Sequence, residues 1–142
     1  MKIKMMAVLV FFVFLCRLSA DEYMTIEMEN VRIDVPAGWF AQYTKSPQLF
    51  FLYSPVEADD TFQENGNLVM EILPAGYSVE RYMNESLESI KMIYTDFVLE
   101  KMDENYYIIS GAVGDIGVKQ LQLFYIRDNS AYILTFSAMP ES

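Results

Sequence analysis

Alternation of apolar and polar side chains dominates the chain. Met24 to Met28 alternates, and Val31-Arg32-Ile33-Asp34-Val35 does so again after Glu29-Asn30. Period-two alternation on both sides of a short turn predicts a β-hairpin. Pro36-Ala37-Gly38 ends it, and Trp39 opens a further segment through Tyr43. Leu49 to Tyr53 is a short apolar run closed by Ser54-Pro55. Residues 56–66 read as a polar, acidic loop containing Asn65-Gly66, and strand character returns from Leu68 to Leu73. The pattern then changes period. Val79, Tyr82, Met83, Leu87, Ile90 and Tyr94 recur at helical spacing, with Glu85, Glu88, Ser89 and Lys91 on the other side. Ser78 is the natural N-cap and Glu80 favours the positive helix end, so a helix is expected over 78–94.

Four more strands follow: Phe97 to Met102, Tyr106 to Val113, Val118 to Arg127 and Tyr132 to Ala138, the last two joined by Asp128-Asn129-Ser130. Phe124-Tyr125-Ile126 is apolar without interruption, which predicts a strand covered on both faces. Antiparallel strands with one long helix make an α+β domain whose sheet is covered by helix.

The amino terminus follows neither period. Lys2 and Lys4 precede an unbroken apolar run from Met5 to Cys16, and Leu18-Ser19-Ala20 leads into Asp21-Glu22. A helix of that length rises only about 18 Å, short of a hydrocarbon core of roughly 30 Å. It fits the apolar region of a signal peptide. Residues 1–20 are therefore expected to be a signal peptide and 21–142 a single domain, exported to the periplasm or secreted. The alternatives are anchoring through an uncleaved signal or a lipidated Cys16, the latter preceded by the bulky Val13-Phe14-Leu15.

Composition narrows the chemistry. The 142 residues carry 20 acidic and 10 basic side chains, no His and one Cys, for a net charge of −10. Without Lys2, Lys4 and Arg17, seven basic groups face twenty acidic ones, and the net charge after Ala20 is −13. Such a surface does not attract phosphate backbones or anionic membranes, so nucleic acid is not an expected partner. His-dependent triads and His-ligated metals are excluded, as are an intramolecular disulfide and a thiolate zinc cluster. No G-x-S-x-G, S-x-x-K or P-loop occurs.

The remaining motifs have plain readings. Gly111 to Gly117 lacks G-x-G-x-x-G spacing and precedes a strand, so it reads as a turn rather than a phosphate loop. Glu57, Asp59, Asp60 and Glu64 could hold a hard cation but miss the calcium-loop pattern, and a solvated loop is expected. Nothing along the chain draws Glu27, Glu29 and Glu71 together as an acid–base pair. Asn84-Glu85-Ser86 is a glycosylation sequon inside the expected helix. Trp39 and the Tyr and Met stripe read as core. No catalytic, cofactor-binding or metal-ligating residue is assigned, and no cofactor is expected.

Val35-Pro36-Ala37-Gly38-Trp39, Leu49-Phe50-Phe51 closing at Ser54-Pro55, Asn67-Leu68-Val69-Met70, Ser78-Val79-Glu80-Arg81-Tyr82 and Ala131-Tyr132-Ile133-Leu134-Thr135-Phe136 together resemble the PsbP-like superfamily. That superfamily includes the extrinsic photosystem II subunit, a Ran-binding nuclear factor and exported bacterial proteins of uncharacterised role. The resemblance implies an α/β/α sandwich, an antiparallel sheet flanked by helices, with no catalytic centre and action through protein contacts. Relatives continue into a C-terminal helix where this sequence reads Met139-Pro140-Glu141-Ser142, so that helix is expected to be lacking, leaving a less covered sheet open to self-association. The expected function is thus a non-enzymatic exported accessory or binding protein contacting an envelope or extracellular protein. The alternative is a small-molecule or apolar-ligand binder with a pocket between helix and sheet. An enzyme using paired carboxylates ranks third.

Overall fold

The order in which strands pair explains most of the architecture. In the computed structural model, which describes residues 3–4, 23–28, 31–45, 47–56 and 62–140, the elements run β1 (Ile3–Lys4), β2 (Tyr23–Met28), β3 (Val31–Pro36), β4 (Phe40–Tyr43), β5 (Gln48–Tyr53), β6 (Asn65–Ile72), α1 (Val79–Lys91), β7 (Thr95–Met102), β8 (Tyr106–Val113), β9 (Ile116–Arg127) and β10 (Ser130–Ala138). Seven strands form one sheet in the order β4-β5-β6-β10-β9-β8-β7, antiparallel at every pairing. It consists of two meanders, β4 to β6 and β7 to β10, joined where β6 pairs with β10. The chain must therefore pass from β6 to the far edge at β7, and α1 makes that crossing over β10, β9 and β8.

The helix forms where the period predicts it. Ser78 sits at φ −93° and ψ 156°, and its Oγ accepts the backbone N–H of Arg81 at 3.1 Å. Glu80 lies in the first turn and Lys91 in the last, each complementing the helix dipole. Met83 and Leu87, four residues apart, are buried against Tyr107, Ile109, Phe124, Ala131 and Ile133 of the sheet. Past Lys91, the N–H groups of Ile93 and Tyr94 both bond to the Ile90 carbonyl, and Asp96 turns with φ 52°.

The opposite sheet face is covered by strands. β2 and β3 pair antiparallel as the alternation predicts, with Ile26 opposite Ile33 and Met24 opposite Val35. Ile26, Val31, Ile33 and Val35 are buried with Phe50, Leu52, Leu68, Leu134 and Phe136. Arg32 and Asp34 point outward, where Thr25 Oγ1 donates to Asp34 Oδ1 at 2.6 Å. Gly66 is required by this packing, because a Cβ there would stand 2.9 Å from the Phe136 ring.

The α/β/α sandwich is therefore not the fold. Among the described residues there is one helix, and the layer on the second face is the β2–β3 hairpin. The physical reason is the strict alternation of residues 24–35, which buries one side of an extended ribbon and leaves no helical stripe. The protein is mostly antiparallel β. Asn65 and Gly66, expected in a loop, begin β6, whose pairing with β10 extends to Asn65 opposite Ser137. Of the expected signal peptide, residues 3–4 form β1, paired parallel with Val31 and Arg32, and the rest lies outside the described residues. Glu29-Asn30 lies outside them too.

Candidate functional site

Helix and hairpin each cover half of a sheet face, on opposite sides and at opposite ends. On the helix side, the half nearer β4 has no element above it among the described residues. Strand register defines what stands there. Residues directly opposite in an antiparallel pair share a face. One rung runs Gln42, Phe51, Asn67, Thr135, Gln122 and Tyr107 across β4, β5, β6, β10, β9 and β8. The next runs Phe40, Tyr53, Asn65, Ser137, Gln120 and Ile109 over the same strands.

These rungs combine rings and neutral polar groups. Phe40 stacks on Tyr53 with centroids 5.0 Å apart, and Tyr53 on Phe51 at 6.2 Å. Beyond the rings come amides and hydroxyls only. No Asp, Glu, Lys or Arg occupies either rung, although charged residues are a fifth of the chain. The charges lie elsewhere. Lys119 pairs with Glu100 at 2.6 Å on the hairpin side, and Arg81 with Glu85 at 2.9 Å on the outer surface of the helix. Burial pushes the Glu100 carboxyl up, but its bonds to Lys119 and Ser110 outweigh this and hold it below the ordinary carboxylate range.

The rungs connect to the core through a chain of hydrogen bonds. Ser86 Oγ lies 3.1 Å from the Tyr107 hydroxyl, which donates to Gln122 Oε1 at 2.8 Å. Gln122 Nε2 donates to Gln120 Oε1 at 3.3 Å, and Gln120 Nε2 to Ser137 Oγ at 2.9 Å. Because Tyr107 gives its proton to Gln122, the Ser86 hydroxyl is the donor to Tyr107. All bonds then point from the helix toward β10, and the Ser137 O–H is left to donate onward. Tyr107 is fully buried, and burial pushes its phenol up to about 12. It is a neutral donor at ordinary pH, fixing the position of Gln122 and thereby of Gln120.

The outer members of the rungs are more open. Asn67, Thr135 and Gln42 make no side-chain hydrogen bond among the described residues, and Asn65 Nδ2 donates only to the Gln63 carbonyl, at 3.2 Å. The surface thus offers free amide and hydroxyl groups beside an apolar flank. Such a set can hold a ligand through hydrogen bonds and ring contacts.

The residues singled out from the sequence fall elsewhere. Trp39 packs edge-on against Phe136 at 6.4 Å, within the hairpin-side core. Gly114, φ +63°, makes the β8–β9 turn, while Gly111 and Gly117 lie in the flanking strands. Glu64 accepts from Ser54 Oγ at 2.9 Å, and Glu57, Asp59 and Asp60 lie outside the described residues. Glu71 accepts the Tyr82 hydroxyl at 2.6 Å on the helix side, whereas Glu27 stands near Arg32 on the covering hairpin, so the structure does not bring them together. Glu29 lies outside the described residues. Asn84 of the sequon is exposed on α1, and Ser86 of the same triplet belongs to the hydrogen-bond chain. No three carboxylates gather into a metal-binding group among the described residues, and no described helix is long and apolar enough to cross a membrane. The rung residues were legible only as i, i+2 pairs, such as Asn65 with Asn67 and Gln120 with Gln122; lining them up needed the register.

No protein-family model matches the chain, and no curated protein is similar to it in sequence. Among solved structures it is similar to PA94 of Pseudomonas aeruginosa, a protein of unknown function described as a candidate regulator. The TM-score is 0.58 and the identity 12%, over 84% of this chain and 85% of that one. The likeness concerns the fold.

Proposed function

We propose that the protein is an exported, non-enzymatic binding protein that engages its partner through the open half of its helix-side sheet face. One observation carries this reading: two adjacent rungs contain no charged residue in a chain of net charge −10, and toward β4, where Phe40 and Gln42 are exposed, no element lies over them among the described residues. A structural surface has no need of such exclusion, since exposed sheet positions readily take Lys and Glu. The space between helix and sheet is filled by Met83, Leu87, Tyr107 and Phe124, which supports the open face rather than that interface as the place of contact.

Co-sedimentation with the native envelope fraction tests the face. Thr135→Arg places a charge at the centre of the rungs and is expected to abolish retention, while Glu88→Gln on the outer helix surface leaves it unchanged. Equal retention of both variants would overturn the reading. Export is tested by the mature terminus: mass spectrometry should find Asp21 first, and Met1 or a lipid on Cys16 would overturn it.

A further inference from the structure

We infer that the occupant of the open face is a neutral saccharide lying across the strands; this rests on the binding reading above and names its ligand class. The array has the two parts that a sugar ring requires. Phe40, Tyr53 and Phe51 form a stacked apolar flank for C–H faces, with Phe40 52% exposed. Exposed Gln42 and half-buried Asn67 and Thr135 supply amide and hydroxyl groups free of side-chain hydrogen bonds among the described residues. Hydroxyls of a sugar donate and accept at once, as these amides and hydroxyls do. The four strands β4, β5, β6 and β10 span about 14 Å at ~4.8 Å per strand, so the row accommodates more than one sugar ring.

Other occupants fit less well. An apolar helix or lipid chain would bury the amides of Asn67 and Gln42 without partners, at about 1–3 kcal/mol each. A phosphorylated or otherwise anionic ligand meets no Lys or Arg in the rungs and a net charge of −10 around them. A cationic one finds no carboxylate there. A peptide held by its backbone adds to a sheet at the edge, through main-chain groups, whereas this surface presents side chains from the face. What remains is polar, uncharged and rich in hydroxyls.

The test is isothermal titration of the full chain with a panel of neutral hexasaccharides of glucose, mannose and N-acetylglucosamine, beside an unmodified peptide library of similar length. At least one saccharide is expected to bind. Asn67→Ala and Gln42→Ala are each expected to weaken it about tenfold, the loss of roughly one hydrogen bond's worth of binding. Phe40→Ala should do the same, and Glu88→Gln should not. Circular dichroism of each variant separates lost binding from lost folding, and Gln42, on the exposed edge strand, can be changed without touching the core. No binding by any saccharide, or binding that survives Asn67→Ala with Gln42→Ala, would overturn the inference. So would peptide binding that these substitutions abolish. In those cases the loss of envelope retention by Thr135→Arg would still stand, so the two proposals fail separately.

Discussion

The covered and open parts of one sheet face differ within two residues along each strand. Under α1, β6 presents Val69, β10 presents Ala131 and Ile133, and β9 presents Ile126 and Phe124. One rung further, the same strands present Asn67, Thr135 and Gln122, and then Asn65, Ser137 and Gln120. Three strands drawn from separate stretches of sequence change character at the same line. That line is the border of the helix, so the apolar residues trace where α1 lies and the polar ones where it does not. The lesson is that a strand need not have one buried face along its whole length. Its side toward a crossing element is apolar only beneath that element.

The sharpest way to break the comparison is to empty the covered part. Leu87→Ala should cost about 2–5 kcal/mol, measured by urea unfolding, because the cavity forms where the helix meets the sheet. If the open part depended on the same packing, its alanine variants would cost as much, and they should not.

Tyr107 stands at the border, and its removal should have the next largest effect. Tyr107→Phe keeps the ring against Phe124 but leaves Gln122 Oε1 and the Ser86 hydroxyl without their partner, for a loss of about 1–3 kcal/mol at neutral pH. The phenol also sets an alkaline limit. The folded chain holds this proton to about pH 12, whereas the unfolded chain releases it near 10.0, so its contribution is complete below pH 10 and is lost as pH rises through 12. The two-unit difference corresponds to on the order of 3 kcal/mol. Tyr82, raised above its ordinary range by burial and by Glu71, adds a loss of the same sign. Stability measured from pH 9 to 12 should therefore fall less steeply in Tyr107→Phe than in the parent, without becoming flat.

The hairpin side offers a control for tight packing away from the rungs. Gly66→Ala should cost about 1–3 kcal/mol in thermal or urea unfolding, since its Cβ would meet both the Phe136 ring and, at 3.1 Å, the Thr135 carbonyl. The smallest effect belongs to the open rungs. Asn67→Ala should change stability by no more than about 0.5 kcal/mol, because its amide makes no side-chain hydrogen bond to lose, while its effect on ligand binding is about tenfold. A large destabilisation there would show the open part to be structural, like the covered one.

Much of this was legible along the chain. The hairpin of residues 24–35, the helix with its Ser78 cap, and the strands at 106–113 and 118–127 follow from periodicity and capping, which act over a few neighbouring residues. The helix is shorter than its periodic stretch because the Ile93 N–H makes a tighter bond to Ile90, three residues back, and the backbone turns at Asp96 with φ 52°. Asn65-Gly66 misled, since the pair has turn chemistry and became strand only through its partners Ser137 and Phe136. The candidate site was not legible. Gln42, Asn67, Thr135 and Gln122 are spread over more than ninety positions, and polar residues inside strands ordinarily mark a solvated face.

Local sequence determined the periods, the caps, the charge balance and the absence of His and Cys chemistry from the region after Ala20. These depend only on side-chain identity and spacing. Tertiary structure decided the rest: that the second layer is a hairpin in place of a helix, and that α1 crosses from β6 to β7. It also decided which half of a face α1 covers. The reason is topological. Once β6 pairs with β10, the helix must pass over the β10, β9 and β8 strands to reach the far edge, and among the described residues no element lies over the helix-side face of β4 and β5.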